Sequence, residues 1–145
     1  MPLARVLAVG VHRLLVWGMV ETPLTIVPAP TRRWAARRRG GDPVTKVAEL
    51  ACVSLAAAPA HPDISVVRAL RMRALARDSV GLTTSARERN VAGRVLLRGE
   101  WLAGSNTEVV VVDDVVTTGA TARESVRVLQ SAGARVAAVL TIAFA

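Results

Sequence analysis

Apolar positions along the chain follow two periods, and the change from one to the other marks out its elements. Residues 3–20 (LARVLAVGVHRLLVWGMV) carry Leu7, Val11, Leu14 and Leu15 on one helical stripe, with Arg5 and His12 on another. This predicts a packed N-terminal helix over residues 1–20. Arg5, His12 and Arg13 interrupt the apolar run and make a membrane span costly. No Ala-x-Ala-like cleavage site follows it, so the chain reads as cytoplasmic with no membrane span. His12 has nothing near it in the sequence that would make it a ligand or a base, and it reads as structural.

Leu24–Val27 is a short β-branched run stopped by Pro28-Ala29-Pro30, as expected of a strand that opens into an arginine-rich loop. Residues 44–58 predict an Ala-rich helix with Val47, Leu50 and Val53 or Ser54 at core spacing, ended by Pro59 and Pro62. Ile64–Leu70 reads as a second strand. Residues 71–90 have little periodicity and read as a long mobile loop, with Val91–Arg98 a strand returning from it and Glu100–Asn106 a turn.

The last forty residues are the clearest. Glu108–Asp114 holds four consecutive valines before Asp113 and Asp114, the pattern of a strand buried on both faces of a parallel sheet. Ala120–Ala132 predicts a helix with Ala122, Val126 and Leu129 inward, and Gly133 is placed to end it. Arg135–Phe144 is the next buried strand. Two strand–helix–strand units predict one α/β domain, a three-layer, doubly wound and mostly parallel sheet over residues 21–145.

Composition sharpens this picture at one point, the charge. In 145 residues, 19 Lys and Arg face 11 Asp and Glu, a net +8, and eighteen of those bases are arginine. Residues 28–98 hold fourteen bases and five acids, a local +9, so the excess belongs to the middle of the chain. It implies an anionic partner, either nucleic acid or a phosphorylated small molecule. A single cysteine, Cys52, excludes an internal disulfide and a zinc ribbon of paired cysteines, and Cys52 itself reads as core.

The candidate chemistry lies in Val109–Thr121, VVVVDDVVTTGAT. A buried strand delivers two carboxylates to the carboxyl edge of the sheet, where open α/β sheets bind ligands. A turn of small residues then enters a helix N-terminus, where backbone N–H groups and the helix dipole suit a phosphate. Thr117, Thr118 and Thr121 add hydroxyls, and Gly119 allows close approach of the backbone. Acids for vicinal hydroxyls beside a phosphate cradle fit a sugar phosphate. The blander alternative makes Thr117 or Thr118 a helix N-cap and the acids a solvated strand end. A P-loop is excluded, since there is no Gly-Lys-Ser/Thr and the only lysine is Lys46. A receiver domain would need its paired aspartates near the start of the chain, and only 31 residues follow Asp114.

This stretch resembles the signature of the phosphoribosyltransferases for 5-phosphoribosyl-1-pyrophosphate: a hydrophobic run, two acids and Thr-Thr-Gly-x-Thr. Three further segments are similar to the competence-protein ComF branch. They are Val27–Pro30 followed by bases up to Arg39-Gly40, then Arg77–Leu82, then Ala86–Gly93. The resemblance implies a type I phosphoribosyltransferase-like fold with Asp113 and Asp114 on the ribose hydroxyls. It implies the 5-phosphate held by Val116, Thr117, Thr118, Gly119, Ala120 and Thr121. Ala29, Pro30, Thr31, Arg32 and Arg33 would form the pyrophosphate loop. The flexible loop at about residues 71–90 would contain Arg77, Asp78 and Ser79. Magnesium is implied through the substrate, with Asp113 and Asp114 as its nearest protein carboxylates, and transfer would go to an acceptor that the sequence does not name.

The chain departs from the ComF pattern in lacking Cys-x-x-Cys pairs, which implies a ribbon-less or shortened member. It also departs in reading Gly41-Asp42-Pro43 where Phe-Asn-Gln is usual. It shows no C-terminal hood, so an acceptor pocket would fall to the N-terminal helix or the flexible loop. The same resemblance offers a second role, a non-enzymatic accessory in DNA uptake or processing that meets single-stranded DNA or a DNA-handling protein. Arg37-Arg38-Arg39, beside Trp34, reads as a solvated face, a nucleic-acid contact or a pyrophosphate contact. A homodimer is common in this fold.

Overall fold

The computed structural model describes residues 2–30, 42–57, 63–73, 93–99, 106–116 and 118–144. Four parallel strands form its central sheet in the order β2-β1-β5-β6. These are β1 (Leu24–Pro28), β2 (Ile64–Val66), β5 (Glu108–Val116) and β6 (Arg135–Phe144). A two-stranded antiparallel ribbon, β3 (Leu70–Met72) and β4 (Val95–Leu97), stands apart from it. Helices α1 (Pro2–Val16), α2 (Pro43–Ala56) and α3 (Ala120–Ser131) complete the described elements.

Strand β5 explains the layering. Val109, Val110, Val111 and Val112 are all fully buried. Because successive side chains on a strand point to opposite faces, one run serves two cores. Val110 and Val112 pack with Leu24 and Ile26 of β1, Leu7 and Val11 of α1, and Val47, Ala51 and Leu55 of α2. On the other face Val109 and Val111 pack with Val27, Leu129 of α3, and Leu70 and Val95 of the ribbon. The architecture is α/β with helices on both faces of a parallel sheet. Among the described residues no helix is long and apolar enough to cross a membrane.

Helix α1 packs on α2 and on β6. The approach to β6 is close at Gly10, where a Cβ would stand 3.0 Å from Leu140 Cδ2. Helix α2 begins where Asp42 accepts the Val44 N–H at 3.2 Å and the Thr45 hydroxyl at 2.8 Å, with Pro43 in the first turn. Helix α3 ends where Gly133 takes a φ of +87°, a left-handed turn that glycine adopts without strain.

Helix α1 stops at Val16 where a helix to residue 20 is expected, and of the return strand expected over 91–98 only Val95–Leu97 is a described strand; two other elements differ more. The run 64–70 is not one strand. Val67 N–H donates to Ile26 O at 3.0 Å, and the chain then leaves the sheet, so Ile64–Val66 pairs with β1 and Leu70–Met72 pairs with β4. The residues Arg71 to Arg73, expected in a loop, therefore belong to an ordered ladder; 74–92 lie outside the described residues. In α2 the inward face is Val44, Val47, Ala48, Ala51 and Leu55, while Leu50 and Val53 are 45% and 69% exposed. Ala48 and Ala51 stand on the inward face beside Val44, Val47 and Leu55, and Leu50 and Val53 fall on the outer face.

That phase has a direct test in urea denaturation. Leu50→Gln and Val53→Gln shift stability by no more than about 0.5 kcal/mol, as surface changes do. Val47→Ala costs about 2 kcal/mol through lost burial and a residual cavity. Comparable losses at Leu50 and Val47 would contradict the packing described.

Candidate functional site

The topology alone marks one place for a ligand. From β1 the chain crosses through α2 to β2 on one side; from β5 it crosses through α3 to β6 on the other. Helices α2 and α3 lie on opposite faces, since they pack into different cores. Neighbouring strands whose connections diverge in this way leave a crevice at their carboxyl ends. Here that crevice lies between β1 and β5, which run in register from Leu24 opposite Glu108 to Pro28 opposite Val112. Ala29 N–H extends the ladder by donating to Val112 O at 2.7 Å.

Asp113 and Asp114 are the next residues of β5 beyond that pairing, so they emerge at the crevice. Asp113 is opposite Thr141 of β6, and its Oδ1 accepts the Asp114 N–H at 2.9 Å. Burial pushes the Asp113 carboxyl up from its ordinary 3.8 to about 6, and the charges of Asp114 and Asp42 add to the rise, against the lowering effect of the Asp114 N–H. Strand β5 continues past the acids: Val116 is opposite Phe144 and belongs to the ladder, two residues further than expected. Thr117 lies outside the described residues.

The described residues of the turn into α3, Thr118 and Gly119, have features that suit an anion. Gly119 holds φ +73°, ψ 7°, a left-handed conformation in which a side chain would be strained, and it caps α3 with no side-chain hydrogen bond. The Thr118 hydroxyl accepts the Ala120 N–H at 3.3 Å, and the Arg123 guanidinium donates to the Thr118 carbonyl at 2.9 Å. The first turn of α3 carries no acidic side chain. Its backbone N–H groups lack intrahelical carbonyls, and with the dipole they favour negative charge. Thr121 accepts Ser125 Oγ at its carbonyl, a bond internal to the helix.

Asp42 is the participant that the sequence reading left out. It was noted only as a departure from a family pattern, although an acid directly before a helix-initiating proline is itself an N-cap signal. As the cap of α2 it brings a third carboxylate close enough to raise Asp113. Among the described residues no group of three or more His, Cys, Asp or Glu is placed to hold a metal ion. The donors at hand are hard carboxylate oxygens, which suit Mg2+ shared with a substrate rather than a metal caged by protein alone. Asp113 and Asp114 lie near the carboxyl end of β5, Thr118, Gly119, Ala120 and Thr121 lie where α3 begins, and Ala29 and Pro30 directly follow β1. Thr31, Arg32, Arg33, Arg37, Arg38, Arg39, Arg77, Asp78 and Ser79 lie outside the described residues.

Glu124, on α3, is 8% exposed and was also not foreseen. Its carboxylate accepts the Gly93 N–H at 2.7 Å and two N–H groups of Arg127 at 2.8 and 2.9 Å, and the bonds to Arg127 hold its pKa below the usual carboxylate range. It ties the base of β4 to the helix that opens at Gly119.

Two stability outcomes follow. The folded protein holds the Asp113 proton more tightly than the unfolded chain. Its contribution is therefore favourable at low pH and is lost as pH rises from about 4 to above 6. Replacing it removes that loss: Asp113→Asn gains on wild type as pH rises through the window, by about 1 kcal/mol after solvent screening. Thermal unfolding at pH 4.5 and 7.5 measures the difference, and an advantage independent of pH would contradict it. Glu124→Ala orphans the Gly93 N–H and destabilises by about 2 kcal/mol, with faster amide exchange at Gly93.

Compared with known proteins, the chain matches no family model, and no curated protein matches it, so what the site does is argued from its own residues.

Proposed function

We propose that the crevice between β1 and β5 binds 5-phosphoribosyl-1-pyrophosphate together with Mg2+ and supports transfer of the phosphoribosyl group to an acceptor nucleophile. The observation that carries this reading is the pairing of Asp113 and Asp114 with the N-terminus of α3 five residues later, which carries no acidic side chain, at the point where the strand connections diverge. A ribose ring bearing a 5-phosphate presents hydroxyls and an anion a few ångströms apart, which these two groups match.

Each residue has a physical task in this reading. The first-turn N–H groups of α3 and the Thr118 and Thr121 hydroxyls take the 5-phosphate. The Asp113 and Asp114 carboxylates accept hydrogen bonds from the ribose 2- and 3-hydroxyls and so orient the sugar. The carboxyl end of β1 leads into the segment that would receive the pyrophosphate. Mg2+, when bound with the substrate, supplies charge neutralisation for the leaving pyrophosphate. The elevated pKa of Asp113 is then a ground-state cost that ligand hydroxyls and a cation relieve, which favours occupancy over the empty site.

Calorimetric titration with the sugar diphosphate in MgCl2 at pH 7.5 tests this. Wild type gives saturable heat at micromolar to millimolar ligand, and Asp114→Asn weakens binding at least tenfold, about 1.4 kcal/mol. Absence of binding by wild type at millimolar ligand would sink the proposal.

A further inference from the structure

The outward side of α1 is apolar where a surface helix is ordinarily polar. Ala4, Leu7 and Val11 are buried in the core shared with α2 and the sheet. Val6, Val9 and Val16 are exposed on the other side, and Trp17 and Met19 just past the helix are 65% and 57% exposed. With Leu3 they make six of the ten large apolar side chains exposed among the described residues, so the exposure is concentrated on one element. Scattered single apolar residues need no explanation, whereas a patch along one helix does.

The patch is held in place. Gly10 sits against Leu140 of β6, which seats the helix closely on the sheet. At its end Gly18, at φ +66°, donates its N–H to Leu15 O at 3.0 Å, and Met19 N–H donates to Leu14 O at 2.9 Å. This is a Schellman turn, in which the residue after the glycine ordinarily packs back on the helix. Met19 is instead presented to solvent, beside Trp17.

Charge accompanies the apolar surface. At about 100° per residue, Arg5 and Arg13 project about 40° to either side of Val9, so cations flank the apolar line on both sides. Both arginines are exposed, and residues 1–20 contain no Asp or Glu. Among the described residues neither arginine enters an ion pair. A second copy of the chain is a poor occupant for such a face. Two α1 helices packed antiparallel about Val9 would set Arg5 of one level with Arg13 of the other, with no acid on either helix between them.

We propose that the outer face of α1 docks on an anionic lipid bilayer, with the helix lying in the plane of the headgroups. Fifteen residues make a helix about 22 Å long, too short for a hydrocarbon core of about 30 Å, so it lies on the membrane rather than across it. The valines and Met19 enter the acyl boundary, and the Trp17 ring sits at headgroup level, where indoles partition well. Arg5 and Arg13 bury their stems and carry their guanidinium groups back to lipid phosphates. A bilayer offers apolar depth and anions to a convex helix without needing a matching groove. Glu21 N–H donates to Glu108 Oε2 at 2.8 Å, which ties the turn after α1 to the first residue of β5. That is the opposite edge of the sheet from the crevice, and the proposal does not rest on the sugar-phosphate reading.

Co-sedimentation with vesicles of phosphatidylcholine, with and without about one-third phosphatidylglycerol, tests this. Wild type binds the anionic vesicles at least tenfold more tightly than the neutral ones. Arg5→Gln with Arg13→Gln weakens anionic binding by about 25-fold. Val9→Gln with Val16→Gln weakens it at least tenfold. Arg71→Gln with Arg73→Gln removes the same charge from exposed positions of the β3–β4 ribbon, which packs into the other core, and leaves binding unchanged. Tryptophan emission shifts to the blue on binding, and Trp17→Phe abolishes most of that shift. Circular dichroism confirms that each variant folds. Equal binding to the two vesicle types, equal losses in the two arginine pairs, a shift retained in Trp17→Phe, or no binding by wild type at millimolar lipid would each overturn the proposal. So would light scattering that shows a dimer dissociated by Val9→Gln with Val16→Gln and no vesicle binding, since a second copy would then cover the face.

Discussion

Complete burial of Val109–Val112 is the constraint on which the other features depend. A strand with no solvent-facing side needs a layer on each side, and its hydrogen-bonding groups must be met by neighbours at both edges. Strands β1 and β6 supply the neighbours; α1 and α2 supply one layer, and α3 with the ribbon supplies the other. The apolar run ends at Val112, and the chain turns polar where the β1 ladder runs out. The same valines that fix the strand thereby fix where Asp113 and Asp114 emerge, to within a residue. A slip of one residue in β5 would exchange the contents of the two cores. The position of the acids is therefore held by packing on both sides rather than by contacts of their own.

Holding them there has a cost that the fold does not need. Asp113 keeps its proton to about pH 6 because burial and two neighbouring carboxylates disfavour its charge. A strand end serving only to turn a chain would gain from asparagine or serine at this position. The contrast with Glu124 is informative, since that residue is also shielded from solvent yet its carboxylate has its pKa lowered, because Arg127 and the Gly93 N–H donate to it. One acid is satisfied within the protein and acts as a brace between α3 and β4. The other is left with too few donors, beside a helix terminus whose first turn carries no acidic side chain.

How much of this could be read from the residues depended on how strongly each segment specified its surroundings. Strand β5, helix α3 and strand β6 were legible because long valine-rich runs and an amphipathic helix closed by Gly133 admit one arrangement; β6 has the bounds expected of it. Helix α2 was legible as a helix but not in phase. Alanine is neutral on either face, and the requirement for close approach between layers, invisible along the chain, selected Ala48 and Ala51 for the interior over Leu50 and Val53. The run 64–70 was misread because the change of sheet at Val67 carries no glycine or proline to announce it. What diverts the chain is a tertiary bond to Ile26 and the packing of Ala69 and Leu70 in the second core. The outward position of Arg71 in β3 was hidden with it, since a segment read as a loop offers no alternation to inspect. Asp42 was in view, but its meaning depended on α2 delivering it to the same sheet edge as Asp113.

The two helices that open at that edge are not equivalent, and the difference bears on what the crevice can hold. Helix α2 begins on Asp42, whose carboxylate already satisfies the Val44 N–H and the Thr45 hydroxyl and balances the positive end of the dipole. Helix α3 begins on Gly119, where the neutral Thr118 hydroxyl accepts the Ala120 N–H and no carboxylate stands in the first turn. One flank of the crevice is therefore negative, with Asp42 beside Asp113 and Asp114, and the other is positive by virtue of backbone alone. A simple anion would be repelled from the first flank, and a simple cation from the second. A ligand that carries hydroxyls or a bound cation at one end and a phosphate at the other meets both. In the proposed reading that polarity favours a bifunctional ligand, which is why a sugar phosphate is proposed over either half alone.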